Sequence, residues 1–500
     1  MDNDSLFNQF SKQSPKGIFV IYAKLLYKVF KATWVLVIIF IQQFSKLPEI
    51  AITWVYFGIV TVFLFFLVRA YLIYKNFLFK IDDGHFILKE GIFKKKNTSI
   101  SFDRIQNINF KQNIIQQLIN VYEVSIETAG SKSTEIAIKA LTFEKAQALK
   151  IKLSESKKAE ETFVEISKEP KPLLKIGFFE LLKVSLTENH LQNLLVFIAL
   201  LFGLLQQLKD VVKGLGKTEI LNEFTSVNPE DIFNSLVVLI VLILILLVIG
   251  VISSLVRVLL FHFNLTLFIK DKTFDITQGL LTKKSIILSK GKVQSITVST
   301  NPIKRKLGIS FVTFKQAVSG KVKKQQNKLI RIIGCKAAQI KTIKELLYVN
   351  DSIDNETQFL PNTYYLLRMY FRSVIGVLLL NSIILFLIKD STWFWVNSVL
   401  IPLTILLIQL KYKKAFYQFN NELLLVGKGR IETHLTYLPL FKVQNIKMKQ
   451  TIFQQRRNVV NLVLQTASGK IKIPCIEKER ATALYNYILY KVESNKESWM

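Results

Sequence analysis

Acidic residues are scarce in this 500-residue chain, and cysteine and histidine are scarcer still. The chain has 36 acidic residues against 67 lysines and arginines, two cysteines and four histidines. Because Cys335 and Cys475 are isolated from each other, they exclude a disulfide-rich scaffold and indicate buried structural thiols in a reducing compartment. The histidines do not fall at metal-ligand spacing, and no phosphate-cradling glycine loop or nucleophile elbow occurs. The sequence therefore predicts no catalysis, no metal and no cofactor.

The basic excess amounts to a formal net charge of +31, and it coexists with a hydrophobic content of 50%. Such an imbalance indicates a polyanionic neighbour, either nucleic acid or an anionic membrane surface. Nucleic-acid modules need stacking aromatics exposed among basic residues, whereas most of the 38 phenylalanines lie in or beside apolar runs. The sequence therefore favours a membrane, with anionic lipids as partners, over nucleic acid.

Six apolar runs interrupt the basic sequence. A helix needs about 20 apolar residues to cross the hydrocarbon layer. The runs form three pairs, and we expect each pair to be a transmembrane hairpin: 32–45 with 51–68, 191–208 with 232–256, and 373–388 with 391–410. Basic amphipathic stretches at 16–31, 173–183 and 364–372 precede the pairs, and we expect them to lie along the headgroups. No cleavable signal peptide is expected.

The distribution of lysine predicts the orientation of these spans. The connection 209–231 holds three lysines against five acidic residues, which is typical of an exterior loop. The segments that follow each pair hold most of the basic residues. We therefore expect a multi-pass protein of the cell (inner, cytoplasmic) membrane, with both termini and all three of these segments in the cytoplasm.

One pattern occurs three times, once after each pair of runs. A glycine is followed thirteen residues later by a basic residue, then Ile or Val, then Gln. Copies one and three stay in register at an offset of 338 residues for a further two dozen positions. The motif glycines are Gly91, Gly279 and Gly429, and the motif glutamines are Gln106, Gln294 and Gln444. We expect the glycines to supply a positive φ or a bulge, and the glutamines to satisfy backbone groups or, alternatively, to face a ligand.

Short alternating segments around the motif predict β-strands. Segments 77–81 and 85–88 flank Asp82-Asp83-Gly84, which is a hairpin signal. Further strands are expected at 97–102, 105–110, 121–127 and 135–138, and helices at 142–153, 337–347 and 477–492. About seven strands closed by one helix indicate a small antiparallel barrel or sandwich.

Hairpins followed by this unit resemble the bacterial pleckstrin-homology-like (PH-like) family also called the membrane-flanked domain, in its long three-copy form. The residues that carry the resemblance are the basic-(Ile/Val)-Gln-(Asn/Ser)-Ile strand, the segment 112–117, the strand end 127–130 and the hairpin entry 182–191. Copy two departs from it, with 301–305 in place of the glutamine pair. The resemblance implies a membrane α plus β fold: six transmembrane helices in three hairpins, each followed by a PH-like antiparallel β-barrel or sandwich capped by a C-terminal helix.

The expected domain boundaries follow from this reading. They are an amphipathic N-terminus with hairpin 1 at 1–75, PH-like domain 1 at 76–155, a charged linker at 156–172, an amphipathic segment with hairpin 2 at 173–262, PH-like domain 2 at 263–349, a linker at 350–363, hairpin 3 at 364–412 and PH-like domain 3 at 413–493.

Clustered cations in the repeats are the candidate contacts to lipid or to a protein partner, since each basic residue near an anionic leaflet gains about 1 kcal/mol. The candidates are Lys94, Lys95, Lys96, Arg104, Lys111, Lys283, Lys284, Lys292, Lys304, Arg305, Lys306, Lys442, Arg456 and Arg457.

Together these features predict an integral membrane scaffold without catalytic activity, whose domains engage anionic headgroups or proteins at the cell envelope. Two alternatives stay open at this point. One is a component of a small-solute or peptide export system, which would need a wet cavity between the helices. The other is a lipid-binding sensor of envelope stress. The sequence leaves the partner and the oligomeric state open.

Overall fold

The structure is a computed structural model that describes residues 7–44, 48–128, 136–155, 172–188, 236–270, 273–316, 330–348, 353–388 and 391–495, together with helical residues 194, 198–204, 206, 207, 209 and 212. Except for those helical residues, the third predicted span, 191–208, and the connection 209–231 lie outside the described residues.

Four described helices are long and apolar enough to cross a membrane: Glu49–Lys75, Leu244–His262, Tyr364–Phe386 and Phe394–Lys413. They correspond to the second, fourth, fifth and sixth predicted spans. The first run lies in a helix of 28 residues that ends at Phe44. The helices are α1 Gly17–Phe44, α2 Glu49–Lys75, α3 Ile114–Leu118, α4 Phe143–Glu155, α5 Phe178–Leu186, α6 Leu236–His262, α7 Pro302–Lys306, α8 Ala337–Leu347, α9 Tyr364–Ile388, α10 Asn397–Lys413, α11 Ile452–Gln455 and α12 Lys478–Ser494.

The basic stretches before the hairpins differ from the surface helices that the sequence suggests. Stretches 16–31 and 364–372 run without a break into the apolar parts of α1 and α9, so they are the first turns of long helices. Stretch 173–183 instead holds a short strand and most of α5. The segment before each hairpin also pairs with the first strand after it, through Ser11–Lys12, Leu174–Lys175 and a bridge at Phe359.

The strands fall into three similar sets, which we call units. Unit 1 contains β1 Ser11–Lys12, β2 Leu78–Asp82, β3 His85–Glu90, β4 Lys96–Ser101, β5 Ile105–Gln112, β6 Val121–Thr128 and β7 Ile136–Thr142. Unit 2 contains β8 Leu174–Lys175, β9 Thr266–Lys270, β10 Thr273–Gln278, β11 Lys283–Ser289, β12 Val293–Thr300, β13 Ser310–Gln316 and β14 Arg331–Cys335. Unit 3 contains β15 Phe416–Phe419, β16 Leu423–Gly429, β17 Thr433–Pro439, β18 Val443–Lys449, β19 Val459–Thr466 and β20 Gly469–Glu477.

The units are joined edge to edge through shared antiparallel sheets. The four sheets have the orders β1-β2-β3-β4, β7-β6-β5-β11-β10-β9-β8, β14-β13-β12-β17-β16-β15 and β18-β19-β20. The last three strands of one unit therefore continue into the first strands of the next. We call the β5·β11 pairing junction 1–2 and the β12·β17 pairing junction 2–3. The hydrophobic core is also continuous between units 2 and 3, because Leu425 and Tyr437 of unit 3 belong to the same buried cluster as the core of unit 2.

Both junctions use one register. At junction 1–2 Lys284 lies opposite Lys111, and at junction 2–3 His434 lies opposite Ser299. Lys284 and His434 each follow their motif glycine by five residues, and Lys111 and Ser299 each follow their motif glutamine by five residues. The repeat therefore carries the inter-unit register as well as the fold of each unit.

The motif glycines are needed at the turn before β4, β11 and β17. Gly91, Gly279 and Gly429 have φ of +115°, +112° and +143°, as the pattern predicts. A Cβ at these positions would lie 2.0, 2.1 and 1.9 Å from the carbonyl oxygen three residues later. Only glycine fits such a close approach of backbone to backbone.

Each unit ends in a helix that packs on its strands. Leu149 of α4, Ile343 of α8 and Leu484 of α12 are buried in the three main core clusters. The expected helix 337–347 coincides with α8.

Candidate lipid-facing site

The turn that follows the motif glycine of unit 2 lies at the end of a membrane helix. The Gly279 amide donates to the Phe263 carbonyl at 2.9 Å, and the Leu280 amide donates to the Leu260 carbonyl at 3.1 Å. Leu260 belongs to the last turns of α6. Leu280 and Leu281 are exposed, so this turn carries apolar side chains beside the last turn of α6, a helix long and apolar enough to cross a membrane.

Two lysines face each other beside this turn. Lys284 on β11 lies directly opposite Lys111 on β5, and the Lys284 Nζ is 5.9 Å from the centroid of the exposed Phe261 ring of α6. Burial lowers the pKa of Lys284, and the neighbouring charge of Lys111 lowers that pKa further. Lys283, opposite Gln112, adds an exposed cation. An anion held between the ammonium groups of Lys111 and Lys284 would offset their repulsion, which makes this lysine pair a candidate headgroup site.

The short helix α3 of unit 1 completes this part of the surface. The Gln117 side-chain amide donates to the Leu281 carbonyl at 3.0 Å and to the Leu280 carbonyl at 3.4 Å. Through that contact the exposed Ile114 and Leu118 of α3 lie next to the turn of unit 2. Exposed apolar groups among cations are typical of segments that lie in the membrane interface.

The turns that follow the motif glycines of units 1 and 3 also combine exposed apolar and basic side chains. The unit 1 turn carries Phe93, which is 99% exposed, followed by exposed lysines, and the unit 3 turn carries exposed Ile431. The Ile431 carbonyl accepts from Lys414 Nζ at 2.6 Å, directly after α10. The short helices α7 and α11 also expose apolar and basic side chains. We call these turns and short helices the membrane rim; its cations are Lys94, Lys95, Lys96, Lys111, Lys283, Lys284, Arg305, Lys306, Arg456 and Arg457.

Lys304 is placed elsewhere, inside the contact between units 2 and 3. It is 2% exposed, its Nζ lies 2.6 Å from Glu432 Oε1, and the same Nζ is 3.7 Å from the centroid of the Phe311 ring. Burial lowers the pKa of Lys304, whereas Glu432 raises it. The repeat holds the signal for this burial, because Gln116 and Gln454 occupy the same position in the other copies and are buried too.

The basic residue of the motif joins neighbouring units. Lys292 Nζ of unit 2 donates to the Ile105 carbonyl of unit 1 at 2.8 Å. Lys442 Nζ of unit 3 donates in the same way to the Val293 carbonyl of unit 2 at 2.6 Å, and also to the Gly291 carbonyl at 2.9 Å. The structure therefore gives Lys292, Lys304 and Lys442 inter-unit contacts, and we leave them out of the membrane rim. Arg104, the equivalent residue of unit 1, is exposed.

The motif glutamines differ in burial. Gln294 is 0% exposed on β12, which unit 3 covers, whereas Gln444 on β18 is exposed. The side chain of Gln106 lies outside the described residues. Among the two motif glutamines whose side chains are described, the buried one lies on the strand that pairs with the next unit and the exposed one lies at the end of its sheet.

The two cysteines are both buried. Burial raises the pKa of the Cys335 thiol to about 12, so this group stays protonated at neutral pH. Among the described residues, no group of three or more His, Cys, Asp and Glu side chains could hold a metal ion.

This architecture belongs to a known class. The family model described as bacterial PH domain matches residues 34–157, 212–348 and 374–492, so the chain is a member of the bacterial PH domain family with three copies of the domain. Among curated proteins the chain is similar to the UPF0699 transmembrane protein YdbT of Bacillus subtilis (strain 168), with 26% identity over 423 residues, 81% of this chain and 83% of that protein. The chain is thus a membrane-associated protein with repeated bacterial PH domains.

Proposed function

We propose that this protein is a non-catalytic membrane scaffold whose three PH-like units lie on the cytoplasmic face and hold the membrane rim against anionic headgroups. The observation that carries the proposal is the Lys111–Lys284 pair, which stands beside the end of α6 and the apolar turn at Leu280. Two cations at that level have a phosphate or other anionic headgroup as their natural counter-ion.

The shared sheets support a common side for all three units. Junctions 1–2 and 2–3 bond the strands of successive units directly, so no membrane can lie between them. We propose six spans in three hairpins, of which four correspond to described apolar helices. With an even number of spans before each unit, every unit then returns to the side of the N-terminus.

A thermal-shift experiment on the full chain in neutral detergent tests the headgroup site. The probes are short-chain phosphatidylglycerol, short-chain phosphatidylcholine and inorganic phosphate. We expect phosphatidylglycerol to raise the melting temperature by several degrees, and Lys111→Gln with Lys284→Gln to remove most of that shift. Lys470→Gln, an exposed lysine on the β19–β20 hairpin, is the matched control.

The three probes separate the possible results. Equal stabilisation by phosphatidylcholine, or an unchanged shift in the double variant, would contradict the headgroup site. Stabilisation by inorganic phosphate alone would identify a free-anion site instead of a lipid site.

The proposed orientation has its own test. Ser226 lies in the connection 209–231, outside the described residues, and the lysine distribution predicts that this connection is exterior. We expect Ser226→Cys to react with an impermeant maleimide on intact cells. Labelling only after lysis would reverse the orientation without affecting the fold.

A further inference from the structure

The row of units has two open edges, and they are the two halves of the junction that the chain makes twice. Junctions 1–2 and 2–3 each join the strand that begins with the motif Ile or Val in one unit (β5, β12) to the strand that follows the motif glycine in the next (β11, β17). Among the described residues, β4 of unit 1 and β18 of unit 3 are the equivalent strands, and each stands at the end of its sheet. The exposed side chains of β18 contrast with those of its counterpart β12, which unit 3 covers.

We propose that these edges bind each other between molecules, so that β18 of one copy pairs with β4 of a second copy in a head-to-tail assembly on the membrane. The register of the internal junctions predicts the contact. It places Thr98 opposite Lys447 of the next copy, as Thr436 lies opposite Thr297 at junction 2–3. It also places Lys96 opposite Lys449, which repeats the Lys284–Lys111 pairing of junction 1–2.

Side chains at the open edges retain the groups that hold the internal junctions together. Lys292 and Lys442 each donate to the carbonyl of the motif Ile or Val in the preceding unit. Unit 1 has Arg104 at the same position, and this side chain is exposed, with no other unit packed against it among the described residues. In the assembly the Arg104 guanidinium donates to the Val443 carbonyl of the neighbouring copy.

Gln455, at the open edge of unit 3, is a second side chain whose counterpart in another unit makes an inter-unit hydrogen bond. It is the counterpart of Gln117, whose amide binds the turn of the following unit at Leu280 and Leu281. Within the described residues no unit packs against this end of unit 3, and there Gln455 is exposed. Its predicted partner is the Ile92–Phe93 turn of the second copy, where Phe93 is fully open to solvent.

Gln444 on β18 and Thr98 on β4 are the residues at the open edges that the proposed contact would cover. Gln294 is buried at the occupied junction, whereas Gln444 is exposed at the open edge. Thr98 Oγ1 is buried without a hydrogen-bond partner among the described residues, whereas the equivalent Thr436 hydroxyl bonds Thr297 at 3.2 Å. Lysines on the edge strands usually discourage pairing, but junction 1–2 already accommodates a lysine pair at the same register position. A contact of this head-to-tail kind closes into a ring or continues as a filament.

Cross-linking between two differently tagged copies tests the register. One full-length chain carries Thr98→Cys, the other carries Lys447→Cys, both are co-expressed, and the isolated membranes are treated with copper–phenanthroline and air as the oxidant. We expect a disulfide between the two tags, because paired Cβ atoms in a sheet lie about 5 Å apart. Lys449→Cys, two residues further along β18, is the matched control and should cross-link at least several-fold less.

A second experiment uses protein without added cysteines and measures how many copies associate. We expect purified protein in nanodiscs to have a mass of two or more chains, and Arg104→Glu to reduce the associated fraction about tenfold, the loss of one charged hydrogen bond. Lys470→Glu should leave it unchanged. Monomeric protein without cross-links, equal cross-linking at both β18 positions, or a different protein bonded to Lys447→Cys would each overturn the proposal.

Discussion

The two internal junctions share a backbone register but differ in side-chain chemistry. Junction 1–2 sets Lys284 against Lys111 and so concentrates positive charge beside a membrane helix. Between units 2 and 3 two polar contacts are made within the protein: the Ser299 hydroxyl and the His434 Nδ1 are 2.8 Å apart, and Lys304 is paired with Glu432. The repeated strands fix how units join, while substitutions within that frame decide whether a junction is a structural contact or a place for an external anion.

The largest expected effect is at the buried ion pair of junction 2–3. Glu432→Gln leaves Lys304 buried with its charge uncompensated, so we expect a loss of about 3 kcal/mol in the free energy of unfolding. The measurement is denaturant or thermal unfolding of the full chain in detergent. Glu479→Gln, at an exposed site on α12, is the control. A loss no larger than the control would remove Lys304–Glu432 as the main polar contact of this junction.

The motif lysines rank next. Lys442 donates to two carbonyls and Lys292 is observed to donate to one across its junction, and hydrogen bonds from charged groups contribute about 1.5–3 kcal/mol. We expect Lys442→Met to lower unfolding stability by about 2 kcal/mol and Lys292→Met by less. The same unfolding assay compares the two variants. The reverse order would show that junction 1–2 depends more on its motif lysine.

The strands that flank junction 2–3 carry a second pair of like charges, Lys315 on β13 and Lys428 on β16. Burial and nearby Lys428 lower the pKa of Lys315 to about 8. Because its folded pKa is below that of the unfolded chain, the cost of charging Lys315 is fully present below pH 8 and disappears as the pH rises toward 10.5. We expect Lys315→Met to raise the free energy of unfolding by about 1 kcal/mol at pH 7, and we expect this gain to shrink above pH 8 and to vanish only above about pH 10.5. A gap independent of pH would contradict this origin.

The smallest expected effect sharpens the contrast between the junctions. Lys111→Gln removes the like charge opposite Lys284, so in neutral detergent we expect a gain of about 0.5 kcal/mol. In bilayers rich in phosphatidylglycerol the sign should reverse, because the variant loses a headgroup contact. Melting temperatures in the two environments provide the comparison. A gain of the same size in both would mean that the lysine pair meets no anionic lipid.

The sequence predicts the local structure well and the assembly of the units poorly. The Asp83-Gly84 hairpin and the strands around the motif are set by turn chemistry and alternation, both of which are local. The joining of β5 to β11 depends on strands 170 or more residues apart, and nothing local distinguishes a shared edge from a free one. The burial of Lys304 could be predicted from the repeat, because the equivalent residues in the other two copies are glutamines. The run Lys304-Arg305-Lys306 instead suggested a lipid contact, because it is strongly basic. Lys292 and Lys442 were predicted to contact lipid because they too are basic residues of the repeat.

The account depends most on the shared sheets, and a disulfide across junction 2–3 tests them directly. Thr297 Oγ1 and Thr436 Oγ1 are 3.2 Å apart on β12 and β17, so Thr297→Cys with Thr436→Cys should form a disulfide readily within one chain when isolated membranes are treated with copper–phenanthroline and air. Thr297→Cys with Thr433→Cys, three residues out of register, is the control. Rapid bond formation in the first pair alone is the predicted result. Failure of that pair, or equal oxidation of both, would show that the units are not joined in this register.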